Sequence, residues 1–385
     1  MGDVFDERSE RASGNEELLS VTISNGVIRQ IDSEKRNIAS EDKSNYKVVK
    51  KGDVPYNSMR MWQGAVGTSD YDGIVSPAYT VLIPKNNCNG KFFMELFKKQ
   101  PTLEIFKRWS QGLTSDTWNL KYPVLSTIPF MVPSVKEQEK IAEYFKSLDN
   151  LITLHQRKCE QTKELKKFML QKMFPKKGEK NPEIRFPGFT DDWEQRKLSD
   201  VANHRGGTAI EKYFDKDGVY KVISIGSYGL NSQYVDQNIR AISNEITDGR
   251  VVNSGELTMV LNDKTANGTI IGRTLLVEKD NEYVINQRTE IISPKENFDS
   301  NFAYTILNGP FREKVKRIVQ GGTQIYVNYP AVSNLNLELP KIEEQQKIGS
   351  FFKQLDNTIA LHQRKCEQLK ELKKFMLQNM FPKKG

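Results

Sequence analysis

Several segments of the chain are rich in side chains that form paired hydrogen bonds with the edges of nucleic-acid bases. Arginine can make two such bonds to guanine, and glutamine or asparagine can make two to adenine. This chemistry requires an exposed loop, although an ordinary polar surface loop has a similar composition. The first segment spans residues 56–64, and its candidate base-reading residues are Tyr56, Asn57, Arg60, Trp62 and Gln63.

Further segments of the same character occur in both halves of the chain. Glycine beside Gln, Thr and Tyr suits a loop that approaches a nucleic-acid backbone or a base edge closely. For the tryptophans, a structural role in a small core is an equally open alternative. The candidates are Arg108, Gln111 and Thr117 in the first half, and Asn262, Lys264, Thr265, Asn267, Arg288, Thr323, Gln324 and Tyr326 in the second.

No arrangement of residues in the sequence predicts catalysis. The chain has three histidines, and two of them lie in a repeated helical segment. It has neither the G-x-x-x-x-G-K-[ST] loop of nucleotide hydrolases nor the Asn/Asp-Pro-Pro-aromatic motif of DNA methyltransferases. We therefore predict no catalytic residue and no cofactor bound by this chain itself.

Two His/Cys pairs, His155 with Cys159 and His362 with Cys366, are each spaced four residues apart. If the pairs faced each other, their four side chains could in principle bind zinc. The alternative is a partly polar seam between two helices that sets their register. We favour the seam and predict no metal site.

An internal repeat determines the elements that must position these segments. Residues 135–178 and 342–385 are identical at 33 of 44 positions. Within each copy, apolar residues recur at alternating spacings of four and three, which is typical of a coiled-coil seam. Neither Gly nor Pro interrupts residues 137–174, and the second copy shares the apolar pattern, so each copy is predicted to form one long helix. The predicted seam consists of Ile141, Phe145, Leu148, Ile152, His155 and Cys159, and of Ile348, Phe352, Leu355, Ile359, His362 and Cys366.

The two regions outside the repeat are only distantly alike. Strand patterns at residues 19–23, 79–83 and 289–292, and helical stretches at 91–99 and 301–318, predict a small mixed domain in each region. Insertions between the shared elements are expected to form loops. The predicted boundaries are 1–134 for the first domain, 135–178 for the first spacer helix, 179–341 for the second domain and 342–385 for the second spacer helix.

Composition narrows the class of protein further. A net charge of +8 permits an anionic partner without requiring one. The sequence has no apolar run long enough to span a membrane and no secretory signal at its start. Three cysteines without a disulfide pattern favour a reduced compartment, so we predict a cytoplasmic protein. The repeat also predicts that Gly385 approaches the start of the first domain, because Gly178 precedes the second.

The two-fold repeat resembles the specificity subunit of type I restriction–modification systems. The resemblance covers essentially the whole chain. The repeat ending HQRKCEQ-x-KELKKFMLQ-x-MFPKKG is similar to the form found in staphylococcal members. The residues that carry the resemblance are Glu137-Gln138 and Glu344-Gln345, Leu148-Asp149 and Leu355-Asp356, and the opening from Trp193 to Val201.

The resemblance implies an α+β fold with two target recognition domains of mixed α/β structure. Two long helices, packed as an antiparallel coiled coil, would join these domains. Each domain would read one half of a bipartite, asymmetric site in double-stranded DNA. The implied protein partners are two methyltransferase subunits, docked on the helices, and restriction subunits in the full complex. S-adenosylmethionine, ATP and magnesium would then belong to those partners.

Two alternatives remain open at this stage. A coiled-coil scaffold, or a stand-alone DNA-binding protein, would have no role in restriction and modification. An enzyme that both reads and methylates DNA would need the motifs that this sequence lacks. Salt-dependent DNA binding by the partnered complex would support a DNA specificity subunit over a scaffold. Methylation by the purified chain alone would instead support an enzyme that both reads and methylates DNA.

Overall fold

The computed structural model describes residues 1–13, 16–33 and 42–381. The chain divides into two compact units. Unit 1 comprises Met1–Gln156 and Gln363–Gly385, whereas unit 2 comprises Arg157–His362. Each unit therefore contains one variable region, the start of the helix that follows it, and the end of the other long helix. Among the described residues, no helix combines the length and apolarity that crossing a membrane requires.

Unit 1 has short strands followed by helices. Its strands are β1 (Phe5–Glu7), β2 (Leu19–Thr22), β3 (Gly26–Arg29), β4 (Lys47–Val49), β5 (Val54–Asn57), β6 (Gly73–Val75) and β7 (Tyr79–Pro84). Its helices are α1 (Gly90–Lys98), α2 (Gln100–Trp109), α3 (Tyr122–Thr127) and the first part of α4 (Val135–Lys172). Antiparallel pairing gives a sheet of order β1-β7-β5 and the two ribbons β2-β3 and β4-β6.

Unit 2 has the same plan with more strands. Its helices are α5 (Leu198–Val201), α6 (Glu245–Asp248), α7 (Ser300–Asn308), α8 (Pro310–Lys316), α9 (Tyr329–Ser333) and the first part of α10 (Ile342–Asn379). Its strands are β8 (Glu194–Lys197), β9 (Ala202–Gly206), β10 (Tyr220–Ile223), β11 (Arg240–Ala241), β12 (Val251–Val252), β13 (Leu257–Val260), β14 (Asn262–Asp263), β15 (Thr274–Leu276), β16 (Tyr283–Ile285), β17 (Thr289–Pro294), β18 (Gln320–Gly321), β19 (Ile325–Tyr326) and β20 (Asn336–Leu339).

The sheets of unit 2 surround its apolar core. The strand orders are β15-β13-β17-β9, β11-β10-β16-β12 and β14-β19-β18, with β20 paired to β8. Helix α7 lies in the core through Phe302 and Ile306, which are almost completely buried. The strands are short and the chain turns often, so the core is assembled mainly by contacts between distant parts of the sequence.

The two long helices run antiparallel within each unit. In unit 1, Lys373 Nζ lies 2.8 Å from the carboxylate of Asp149, and the Cys366 thiol lies 3.6 Å from the Ile152 carbonyl oxygen. In unit 2, Lys166 pairs with Asp356. From Asp149 to Ile152 to Lys166 the residue number rises along α4, whereas that of the α10 partner falls from Lys373 to Cys366 to Asp356, which is the order expected of antiparallel helices. The antiparallel coiled coil implied by the resemblance is therefore present.

A buried glutamine attaches the first turn of each long helix to its own domain. Gln138 accepts a hydrogen bond from the backbone N–H of Asn89 at 2.9 Å, and Asn89 caps helix α1. Gln345 accepts one from Asp299 at 3.0 Å, and Asp299 caps helix α7. Both glutamine amides also donate to nearby backbone carbonyls, those of Pro133 and Asn87 in unit 1 and those of Pro340 and Asn297 in unit 2. The same hydrogen-bonded frame is therefore present in each of the two units.

The end of each long helix is followed by a phenylalanine in the core of the unit that it reaches. Phe174, just beyond α4, lies with its ring centroid 5.8 Å from Phe302 in unit 2. Phe381, just beyond α10, lies 5.2 Å from Phe92 in unit 1. Phe381 belongs to the same apolar cluster as Met1. Gly385 itself lies outside the described residues.

Most of the local predictions agree with these elements, and one helix differs. Strands β2, β7 and β17 and helix α1 lie where the patterns predicted them. The single helix expected over 301–318 is instead two helices, α7 and α8, separated at Gly309. Pro310 explains the break, because proline has no backbone N–H and restricts the residue before it. Helix α2 was not predicted.

Part of the predicted helix seam also packs against the domains. Ile141, Phe145 and Leu148 lie in the apolar cluster of unit 1, and Ile348 and Phe352 lie in that of unit 2. These residues therefore attach each helix to its own domain as well as to the other helix. Further along the helices, Cys159 and Cys366 are buried, whereas Leu355, Ile359, His155 and His362 are half-buried.

Candidate nucleic-acid interface

A closed loop follows strand β5 in unit 1 and presents two of the predicted base-reading side chains. The Asn57 side chain accepts a hydrogen bond from the Met59 backbone N–H at 3.0 Å, and the buried Met61 anchors the loop below. Above it, the Arg60 guanidinium donates to the Gln63 side-chain oxygen at 3.0 Å on the exposed surface. Asn57 thus shapes the turn, while Arg60 is exposed and the half-buried Gln63 lies beside it.

A short hairpin lies against this loop. Its two ends are joined by backbone hydrogen bonds of 3.0 and 2.8 Å between Gln111 and Asn119. The Leu120 N–H donates to the Ser58 carbonyl at 2.9 Å, which joins the hairpin to the loop. The two tryptophan rings, Trp62 and Trp118, meet at 5.2 Å. Together, residues 57–63 and 108–119 form what we call the first loop surface.

The remaining predicted residues of the first loop surface differ in exposure and in the hydrogen bonds that they make. Arg108 and Gln111 are exposed, and Thr117 is exposed but donates its hydroxyl to the Thr114 carbonyl at 3.0 Å to close the hairpin. Trp62 is only half-buried, and its indole N–H donates to the Met59 carbonyl. Its role is therefore mainly to support the loop. Lys107, which was not predicted, lies 5.7 Å from the Trp118 ring.

Tyr56 is a core residue, and its prediction as a base-reading residue was wrong. Its side chain is 0% exposed, and its hydroxyl donates to the Leu120 carbonyl oxygen at 3.0 Å. Burial raises the pKa of this phenol. Tyr56 lies on β5 directly before the half-buried Asn57, and a polar aromatic residue beside a polar loop gives no sequence signal of the side that it faces.

In unit 2, a three-stranded sheet brings two separate candidate segments together. Strand β19 pairs with β14, placing Tyr326 opposite Asn262, and it also pairs with β18. The turn between β18 and β19 contains Gly321 with φ of 102°, a conformation that favours glycine. This turn exposes Thr323 and Gln324, and Tyr326 is 38% exposed.

The loop after β14 is held at its base and exposed at its tip. Asp263 accepts backbone hydrogen bonds from Thr265 at 2.9 Å and from Ile270 at 2.8 Å. The buried Arg312 guanidinium donates to the carbonyls of Gly268 and Ile271, and burial lowers its pKa to about 10. Burial alone would raise the Asp263 pKa, but the backbone N–H groups outweigh it and lower that pKa. Lys264, Thr265 and Asn267 are exposed on this loop.

Arg288 completes this surface. Its carbonyl accepts the Leu261 N–H at 2.9 Å, and the Leu261 carbonyl in turn accepts the Val327 N–H at 2.9 Å. Arg288 therefore lies next to both candidate segments, with φ of 68° and an exposed side chain. We call residues 262–267, Arg288 and residues 320–326 the second loop surface.

Residues that sequence reasoning missed support the second loop surface. Asp263 and Arg312 position its loop, and neither gave a sequence signal, because a buried arginine bonded to carbonyls looks like any helix-surface arginine.

His204 lies beside Tyr329 with ring centroids 4.4 Å apart, and its Nδ1 lies 2.6 Å from Glu290. Burial raises the pKa of Glu290, although the contact with His204 opposes that shift.

The two surfaces offer similar chemistry through different residues. Each has exposed amide, hydroxyl and guanidinium or ammonium groups on loops held by buried anchors. Such groups can bind phosphates through their charge and base edges through paired hydrogen bonds. Among the described residues, no group of three or more His, Cys, Asp or Glu side chains could hold a metal ion. The arrangement is therefore suited to binding a polyanion with sequence-dependent contacts.

Comparison with known proteins gives a consistent result. The family model described as "Type I restriction modification DNA specificity domain" matches residues 1–164 and 190–371. The MjaVIII type I restriction enzyme specificity subunit of Methanocaldococcus jannaschii is 26% identical over 343 residues, covering 85% of this chain and 77% of that protein. The HindI specificity subunit of Haemophilus influenzae is 24% identical over 196 residues, which is 49% of this chain and 41% of that protein.

Solved structures share the fold. The S subunit of the type I restriction–modification system from M. genitalium superposes with a TM-score of 0.62 at 13% identity, covering 100% of this chain and 95% of that one. A chain from a structure of the assembly and conformational transition of the type I R-M system gives a TM-score of 0.51 at 16% identity, covering 99% and 96%. The similarity extends over both units and both long helices.

Proposed function

The chain belongs to the family of type I restriction–modification DNA specificity subunits, and from this membership we propose that each unit reads one half of a split, non-palindromic DNA site. The observation that carries the proposal is a shared frame with different loops. Gln138 and Gln345 make equivalent contacts in the two units, whereas the loop surfaces differ in sequence and in structure. Two different readers on one repeated frame suit two different half-sites.

The long helices provide a repeated surface for the partner subunits in this proposal. Leu165 and Phe168 on α4 are 45% and 47% exposed, and their repeat equivalents Leu372 and Phe375 on α10 are 40% and 59% exposed. Exposed apolar groups at equivalent places favour a protein partner. Because the residues are identical in the two copies, we propose two copies of the same partner, the methyltransferase subunit.

Catalysis belongs to those partners in this proposal. S-adenosylmethionine would be bound by the methyltransferase subunits, and ATP and magnesium by restriction subunits in the full complex. The specificity chain would be cytoplasmic and non-catalytic, supplying the DNA sequence and the spacing of the partners. Methylation by the purified chain alone would contradict this division.

The proposal is tested by purifying the chain with a methyltransferase subunit and titrating salt against DNA binding. We expect two partner copies per chain, and an affinity that falls steeply with salt as phosphate contacts release counterions. Changing Leu372 and Phe375 to Asp should leave one partner copy, whereas the chain without substitutions keeps two. Salt-independent or absent DNA binding by the intact complex would favour a scaffold instead.

A further inference from the structure

The first loop surface presents an apolar side chain to solvent among polar neighbours. Leu113 is fully exposed, at 101% of its reference area, at the tip of the hairpin of residues 111–119. The hairpin is closed by its own hydrogen bonds, including Thr117 N–H to Thr114 carbonyl at 3.0 Å. A side chain added at Gly112 would lie within 2.6 Å of the Thr117 carbonyl oxygen. The tip is therefore a compact turn that presents a leucine to its surroundings.

The groups around Leu113 favour a nucleic acid as its partner. On the same surface, Arg60 donates to Gln63 rather than to a carboxylate, Lys107 lies over the Trp118 ring, and Arg108 is exposed. These cations can bind phosphates near the hairpin. In the DNA major groove, the apolar feature that distinguishes one base from the others is the C5-methyl group of thymine.

We propose that Leu113 contacts the C5-methyl group of a thymine in the major groove of the half-site read by unit 1. This inference rests on the proposed function and assigns part of its substrate. The equivalent hairpin of unit 2 has Gly322 and Thr323 at its tip, so it has no leucine to make the same contact. The two half-sites thus differ in the kind of contact made as well as in base sequence.

Uracil-containing DNA tests the proposal directly, because uracil is thymine without the methyl group. The methylated motif and the half-site belonging to unit 1 are first established with the intact complex. Each thymine of that half-site, on either strand, is then replaced by uracil in turn. At one position, binding should weaken by about three- to fivefold, the loss expected for one buried methyl group.

Leu113→Ala provides the second arm of the experiment. The variant should bind thymine DNA more weakly than the unsubstituted chain and should no longer distinguish uracil from thymine at the sensitive position. Leu113 is exposed, so the unfolding temperature should not change. Thr323→Ala, at the matching hairpin of unit 2, should keep the full uracil effect in the first half-site.

Two results would overturn the proposal. They are the absence of any uracil-sensitive thymine, and a Leu113→Ala complex that still distinguishes the two bases. If Leu113→Ala weakens binding to thymine DNA and to uracil DNA equally, the leucine is instead wedged between base steps, and the proposed methyl contact is wrong. If no sequence-specific methylation is found at all, the proposed function fails before this test begins.

Discussion

Gln138 and Gln345 show how single buried polar side chains join the elements of this protein. Each is almost completely buried, at 1% and 2% exposure, and each bonds to the capped end of a domain helix as well as to two carbonyls. A buried glutamine with all of its partners can hold one geometry, since any other would leave polar groups unpaired. The frame shared by the two units depends on this pair.

Replacing Gln345 by Ala should therefore destabilise unit 2. The substitution leaves the Asp299 N–H and two carbonyls without their partner, at a cost of about 1–3 kcal/mol. Chemical denaturation measures the change in the free energy of unfolding, and hydrogen exchange in α7 shows whether the effect lies in unit 2. Gln346→Ala is the matched control, because Gln346 is the adjacent exposed glutamine and its loss should be nearly neutral. Equal stability of the two variants would contradict the role assigned to Gln345.

Asp263 is the residue on which the second loop surface depends. Asp263→Ala should loosen residues 264–268 and weaken specific DNA binding by the complex about tenfold, which is the loss expected from one well-formed base contact. Asp280→Ala is the control, since Asp280 accepts a backbone N–H from Ser254 in a different exposed turn. If both variants bind alike, Asp263 does not organise the interface.

At the residue scale, the sequence predicted the kind of chemistry better than the individual side chains. Arg60, Lys264 and Arg288 are exposed as expected, whereas Gln63 is half-buried and Tyr56 is part of the core. Polar residues that hold loops and polar residues that face ligands have the same types. Only the fold shows which of them point inward, because burial here depends on contacts between distant segments.

At the scale of elements, the two long helices were predictable from the sequence, whereas the contacts made beyond their ends were not. Their regular apolar spacing made both helices predictable from the sequence, since a local repeat specifies a helix directly. The sequence did not show that Phe174 and Phe381 would enter domain cores. Such a contact joins residues far apart along the chain, and nothing in local periodicity reports it.

Phe381→Ala should destabilise unit 1 selectively. The ring is 3% exposed and lies between Phe92 and Phe145, so its removal leaves a cavity costing about 3–5 kcal/mol. Hydrogen exchange should rise in α1 while α7 keeps its protection. Phe174→Ala, the repeat equivalent, should give the reverse pattern. Matching losses in both units from either variant would mean that the helix ends do not act separately.

At the scale of the whole molecule, we propose that the repeated helices set the number of bases between the two half-sites. Each long helix contributes residues to both units, and each is 38 residues without a break. The number of bases between the half-sites is then expected to follow helix length. The target bases themselves could not be predicted, because base readout depends on side-chain positions that loop sequence does not determine.

Inserting one heptad into both long helices should lengthen the preferred spacer. Seven helical residues add about 10 Å, which is close to three base pairs of DNA. The preference is measured by methylation of a library in which the gap between the two half-sites varies. An unchanged gap in a variant that remains folded and active would contradict the role of the helices in setting the spacing.

The most direct test of the central claim is a map of methylated bases after expression of this chain with a methyltransferase subunit in a methylation-free host. We predict one bipartite, non-palindromic motif with a fixed gap. Exchanging the variable region of unit 2 for that of a related chain, while keeping Phe174 and both long helices, should change only one half of the motif. A palindromic motif, or a change in both halves, would contradict the account.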